Sequence, residues 1–121
     1  MSNPLAFIVE DDAQLANIFS MAFQNASFET EILSDGLTAL DRLGQTVPDI
    51  VVLDMHLPHV SGKEILQHIR TEPQLSQVSV FLATADRGLA ESLKDDVDRV
   101  LIKPISFIQL RDLAKEHHSR L

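Results

Sequence analysis

Five short apolar runs punctuate the chain, at residues 5–9, 28–33, 50–53, 78–83 and 99–102. They are rich in Val, Ile, Leu and Phe and are bounded by polar or turn-forming residues, which marks each as a strand. Several are apolar at consecutive rather than alternate positions. That pattern belongs to strands with both faces covered, as in a parallel sheet packed between helices.

The segments between the runs have helical spacing. Leu15, Ile18, Phe19, Ala22 and Phe23 recur at i, i+3, i+4, i+7 and i+8, one apolar stripe along a first helix. Leu37, Leu40 and Leu43 form a shorter stripe after the Asp35-Gly36 turn, and Ile65, Leu66 and Ile69 another after Gly62. A fourth, weaker helix fits between Asp86 and Lys94, anchored by Leu89 and Leu93. Ser106 and Gln109 stand in the S-x-x-Q relation of a capping box, so a last helix starts at Phe107 with Leu110, Leu113 and Ala114 inward. Strand and helix thus alternate five times. With right-handed crossovers this gives an α/β fold: a five-stranded parallel doubly wound sheet of flavodoxin-like (βα)5 type in three α/β/α layers. No linker or repeat interrupts it, and residues 1–121 are expected to form a single domain.

In such a sheet ligands bind beyond the carboxyl ends of the strands, so the polar residues that follow each apolar run carry the candidate chemistry. The first run leads into Glu10, Asp11 and Asp12, the third into Asp54, the fourth into Thr84 and the fifth into Lys103-Pro104. Crowded carboxylates raise one another's pKa unless a cation intervenes, and hard oxygen ligands suit Mg²⁺, with Mn²⁺ a possible substitute. A lysine can neutralise the remaining charge, and a hydroxyl can donate to an oxyanion. A carboxylate nucleophile, a metal, a fixed cation and a neutral donor together suit phosphoryl transfer.

Composition narrows the field. The 121 residues carry a formal charge of −8, which disfavours direct binding to nucleic acid or to an anionic membrane surface. The chain has no cysteine, so disulfides, thiolate metal sites and thiol catalysis are excluded. No run approaches the length of a membrane span and no secretory signal pattern opens the sequence, making the cytoplasm the expected location.

The segments Val9-Glu10-Asp11-Asp12, Pro48 to Asp54, Asp54 through Pro58 to Gly62, Thr84-Ala85 and Lys103-Pro104 together resemble the receiver domain of two-component response regulators, over essentially the whole chain. The resemblance implies that Asp54 is the phosphoacceptor and that Glu10 and Asp11, with Asp54 and the backbone carbonyl of His56, hold Mg²⁺. It implies that Thr84 and Lys103 contact the phosphoryl group and that Pro104 follows a cis peptide. The phosphoryl group would come from a histidine kinase or a histidine phosphotransfer protein, and a downstream protein, an output domain or a second copy in a homodimer would read the change. Such a domain is not an enzyme in the ordinary sense, since it catalyses only its own aspartyl phosphorylation and dephosphorylation. The side chains of His56 and Asp86 would tune phosphoryl lifetime.

Other polar residues have plainer readings. Asp12 is read as a helix N-cap, Asp49 as a turn residue, and His117-His118 as a solvated helix terminus. Met55 and Phe81 are read as packing. The chain departs from the family at Val100, where an aromatic switch residue is usual, at Asp96-Val97 in place of Gly-Ala, and in an interval from Thr84 to Lys103 that is short by about one helical turn. Two alternatives therefore stand beside the phosphoacceptor: a phosphorylation-independent receiver-like interaction module, and a Mg²⁺-dependent phosphohydrolase. The latter would want a second carboxylate where His56 stands.

Overall fold

The computed structural model describes residues 3–121. Along them run β1 (Leu5–Val9), α1 (Ala13–Asn25), β2 (Glu29–Leu33), α2 (Gly36–Leu43), β3 (Ile50–Asp54), α3 (Gly62–Thr71), β4 (Ser79–Thr84), α4 (Arg87–Leu93), β5 (Arg99–Ile102) and α5 (Phe107–His118). Short 3₁₀ turns at Pro73–Leu75 and Lys94–Asp96 follow α3 and α4. Every strand pair is parallel and the order is β2-β1-β3-β4-β5, the doubly wound arrangement expected from the alternation of patterns.

The continuous apolar runs are explained by two core layers. Phe7, Val9, Val51, Leu53, Val80 and Leu82 pack on one face of the sheet with Leu43, Ile65, Ile69 and Leu93. Ala6, Ile8, Ile50, Val52, Phe81 and Ala83 pack on the other with Phe19, Phe23, Leu110 and Ala114. Successive residues of one strand enter opposite layers, so past the β4 entry residue Ser79 no position in β1, β3 or β4 is polar until the strand reaches the rim. No helix of the described residues is long and apolar enough to cross a membrane.

Two helical stripes are rotated from their expected positions. In α1 the buried residues are Ala16, Phe19, Ser20, Ala22 and Phe23, whereas Ile18 is 38% exposed. Ser20 tolerates burial because its hydroxyl shares a 2.6 Å hydrogen bond with Thr30 Oγ1, so polarity misled the pattern at one place and hydrophobicity at another. In α2 the inward positions are Gly36, Ala39 and Leu43, with Leu37 60% exposed. Strand limits shift by a residue. Phe28 precedes β2 and lies edge-on to Phe23 at 5.1 Å, and Val78 precedes β4, its amide bonded to Leu75 O.

The caps follow the sequence closely. Asp12 Oδ1 accepts from the Gln14 and Leu15 amides, and Ser106 Oγ accepts from Gln109 N, so α1 and α5 start where expected. Asp49 does more than turn the chain: its Oδ2 accepts from Leu5 N at 2.7 Å and its amide donates to Leu5 O at 2.8 Å, which pins the start of β1 beside β3. His117 and His118 are not a solvated terminus. Both are partly buried, their rings edge-on to Phe81 and Phe28, each at 5.3 Å, because the last turn of α5 closes the base of the aromatic layer. Met55 and Phe81 are core residues.

Candidate functional site

The strand order reverses between β1 and β3, and the crevice at such a switch point is where doubly wound sheets bind ligands. Glu10 follows β1 directly and Asp54 closes β3, only 2% and 3% exposed respectively. Asp11, the next residue after Glu10, is exposed. One carboxylate oxygen from each of the three lies within 4.8 Å of the others, a cluster that spans a buried floor and an open lip.

Lys103 reaches this cluster from the end of β5. Its ammonium lies 2.9 Å from Glu10 Oε1 and 3.3 Å from Asp54 Oδ1. Its backbone amide donates to Thr84 O at 2.9 Å, which ties the β5 exit to β4, and the Lys103–Pro104 peptide bond is cis. Thr84 is 1% exposed and sits one register step beyond Ala83, the partner of Asp54 in the β3–β4 ladder. Its Oγ1 accepts from Asp86 N at 3.0 Å. The sheet thus brings Glu10 and Asp11, Asp54, Thr84 and Lys103 to one rim from four separate stretches of sequence.

Backbone amides add fixed donors. His56 N donates to Asp54 Oδ1 at 3.2 Å and Asp12 N to Glu10 Oε2 at 3.3 Å. The His56 side chain is exposed. The Asp86 carboxylate, exposed as well, accepts from Leu89 N and so caps α4. Gly62, the first residue of α3, packs so closely that a Cβ there would strike the Asp54 carbonyl and lie 2.7 Å from Met55 Cα.

Burial pushes the Glu10 carboxyl up to about 7, the Asp54 charge adds to the rise, and the Lys103 ammonium opposes it. Burial of Lys103 works against its charge, but Glu10 and Asp54 outweigh it and hold the ammonium above the ordinary lysine value. Three carboxylates facing one ammonium leave negative charge unbalanced. The donor set, all hard oxygen with one open side, fits a divalent cation of the Mg²⁺ class.

The family model described as the response regulator receiver domain matches residues 6–115. The chain belongs to this family. Among curated relatives, a probable methanogenesis regulatory protein, FilR2, of Methanothrix harundinacea is 33% identical over 123 residues, covering 93% of this chain and 79% of that protein. The Regulator of RpoS of Escherichia coli strain K12 is 31% identical over 120 residues, covering 94% of this chain and 36% of its own length, so the receiver domain spans about a third of that relative. The signal receiver domain of a putative LuxO repressor protein from Vibrio parahaemolyticus superposes with a TM-score of 0.86 at 25% identity, covering 98% of this chain and 92% of that one. The chain is accordingly a receiver domain of the two-component response regulators.

A second feature lies along α4 and β5. Val100 is partly buried and, with Ile102, Ala90, Arg87, Glu91 and Lys94, bounds a hollow of about 330 Å³. α4 has seven residues before it gives way to a 3₁₀ turn. Sequence pattern alone did not signal one close approach: Gly36 reads as a turn glycine, yet it opens α2 against Val60 in the loop that follows Asp54.

Proposed function

We propose that this receiver domain accepts a phosphoryl group on Asp54 and, by doing so, changes its affinity for a partner protein or output domain. The observation that carries the reading is the Lys103 ammonium held between Glu10 and Asp54 at the rim of the sheet, inside a cluster of three carboxylates. An Asp54 oxygen attacks the phosphorus of a phosphohistidine. The P–N bond breaks, and the imidazole leaves with the electron pair and takes up a proton. Lys103 balances charge on the phosphoryl oxygens, and the Thr84 hydroxyl can exchange its bond from Asp86 N for one it donates to a phosphoryl oxygen. Water later attacks the same phosphorus, releasing inorganic phosphate and restoring Asp54, so the domain turns over nothing but its own phosphoryl group.

Glu10, Asp11, Asp54 and the His56 carbonyl would hold Mg²⁺ or Mn²⁺, which when bound neutralises charge developing on the transferring group. The phosphoryl donor is a histidine kinase or a histidine phosphotransfer protein. The expected setting is the cytoplasm, where such donors and acetyl phosphate are available. His56 and Asp86 flank the path of the hydrolytic water and set how long the phosphoryl group persists. Coupling to the partner runs without an aromatic switch, since Val100 occupies that position and leaves the adjoining hollow open.

The test is intact mass after incubation with Mg²⁺ and acetyl phosphate, beside Asp54→Asn. A single metal-dependent phosphoryl adduct, absent from the variant, supports the acceptor. Absence of any adduct would move the reading to a phosphorylation-independent interaction module, and multiple turnover on small phosphate esters would move it to a phosphohydrolase.

A further inference from the structure

Gly36 has no conformational need to be glycine. It is the first residue of α2, and no glycine among the described residues has positive φ. The first position of a helix accepts ordinary side chains, so glycine there calls for another cause. The cause is proximity. A Cβ at residue 36 would lie 2.5 Å from Val60 O, 2.6 Å from Val60 Cβ and 3.1 Å from Val60 C, and two of these atoms are backbone that cannot rotate away.

Val60 belongs to the loop between β3 and α3, which begins immediately after Asp54 and carries His56. That loop has little slack. His56 N is bonded to Asp54 Oδ1, Val60 N to Pro58 O at 2.8 Å and Gly62 N to Met55 O at 3.3 Å, and His59 takes a left-handed φ of 67°. At its far end Gly62 rests on the Asp54 and Met55 backbone. Beside Gly36, Asp35 caps α2 through Thr38 N, and its carboxyl is held low first by that amide and in smaller part by the charge of His59. The start of α2 therefore meets the loop at Gly36, with the Asp35 carboxylate beside it in the electrostatic range of His59.

We propose that Gly36 is a positioning residue for the rim site: by admitting the Val60 peptide against α2 it sets where the His56 backbone stands relative to Asp54, and hence how well the site takes Mg²⁺. This rests on the metal-assisted acceptor described above and deepens it. A methyl at position 36 pushes Val60 outward. The short bonded loop passes that displacement to His56, because its other end is already stopped by Gly62.

The experiment measures Mg²⁺ affinity by calorimetry, the chain having neither Trp nor Tyr to report it by fluorescence, together with melting temperature and the acetyl phosphate reaction by intact mass. The proteins are wild type, Gly36→Ala, Val60→Gly and the double variant. Gly36→Ala is expected to keep its fold yet lose at least fivefold in Mg²⁺ affinity and slow proportionately at limiting Mg²⁺. On the Val60→Gly background, where the Cβ contact is gone and the peptide, though still close, is freer to move aside, the same substitution is expected to cost distinctly less affinity than on wild type. A folded Gly36→Ala protein with wild-type Mg²⁺ affinity overturns the inference, as does an equal loss on both backgrounds. Should Gly36→Ala fail to fold, Val60→Gly alone decides: it loosens the same contact, and unchanged affinity overturns the proposal. Wild type that binds Mg²⁺ but gains no adduct sinks the acceptor reading while leaving the affinity test of Gly36 intact.

Discussion

The Lys103 ammonium stands closer to Glu10, at 2.9 Å, than to Asp54, at 3.3 Å, and Glu10 is almost wholly buried beneath it. In the ion-free protein this pair carries much of the site's electrostatic tension, because one ammonium cannot balance a buried carboxylate and its neighbour together.

A pH dependence follows from Glu10. Its folded pKa of about 7 exceeds the ordinary 4.5, so between those values the folded chain holds a proton that the unfolded chain has released. The stability it contributes is fully present below pH 4.5 and is lost as pH rises through 7. In chelator, wild type should lose on the order of 1–3 kcal/mol across this window relative to Glu10→Gln. Urea titrations of both proteins from pH 4.5 to 8 check it, and parallel curves would refute it. Saturating Mg²⁺ should flatten the difference, since the cation replaces the proton.

Asp11 separates binding from folding. It is exposed, so Asp11→Asn should change the melting of the metal-free protein by no more than about 0.5 kcal/mol. The stabilisation that Mg²⁺ adds should shrink by about 1.4 kcal/mol for each tenfold loss of affinity. Thermal melts with chelator and with excess Mg²⁺ give both quantities. An unaltered Mg²⁺ increment would remove Asp11 from the ligand set.

The sheet was legible because nearly every position of β1, β3 and β4 serves one of two core layers, which leaves an unbroken apolar run in the sequence. The rim residues were legible because such runs must end where the layers end, so Glu10, Asp54, Thr84 and Lys103 mark the edge of the core. Helical faces were harder to read. Ser20 is buried through a bond to Thr30, a residue ten positions away, and Leu37 is exposed because Gly36, with no side chain to read, is the residue that faces inward. His117 was misjudged for the same reason: its partner Phe81 lies far off in sequence, and no local pattern shows which ring a helix terminus will meet.

Arg70 illustrates a long-range contact of mechanical consequence. From α3 it donates to Asp96 O at 2.8 Å, Val78 O at 3.0 Å and Asp98 Oδ2 at 3.2 Å, while Asp98 Oδ2 also accepts from Val80 N at 2.6 Å. One guanidinium thereby joins α3 to the entries of β4 and β5. Arg70→Ala should cost about 1–3 kcal/mol, and Arg70→Lys should recover little, because an ammonium cannot span three acceptors set out for a planar fork. Asp98→Asn combined with Arg70→Ala should cost less than the sum of the two, a double-mutant cycle measurable by urea denaturation. Strict additivity would show that the two residues act separately.

His117 supplies a pH effect of opposite sign at the other end of the molecule. Its Nε2 is enclosed without a hydrogen-bond partner among the described residues, and its ring lies edge-on to Phe81 beside a cavity of about 240 Å³. Burial lowers its pKa below 6.5; Arg120 and Arg99 push the same way, and Asp98 opposes them. Glu116, on the same helix, faces the cavity but is engaged by Arg120 at 2.7 Å. With a depressed folded pKa, the unfolded chain takes up a proton first as pH falls, so the contribution of His117 is complete above pH 6.5 and erodes below it. His117→Phe keeps an aromatic edge against Phe81 but cannot titrate. In saturating Mg²⁺, which suppresses the Glu10 effect, the variant should lose less stability than wild type between pH 7 and pH 5.5, and the wild-type His117 ring should titrate below 6.5 by NMR. A ring that titrates at or above 6.5, or a variant whose stability falls as steeply as wild type, would show that the base of α5 opens readily enough to hydrate the imidazole.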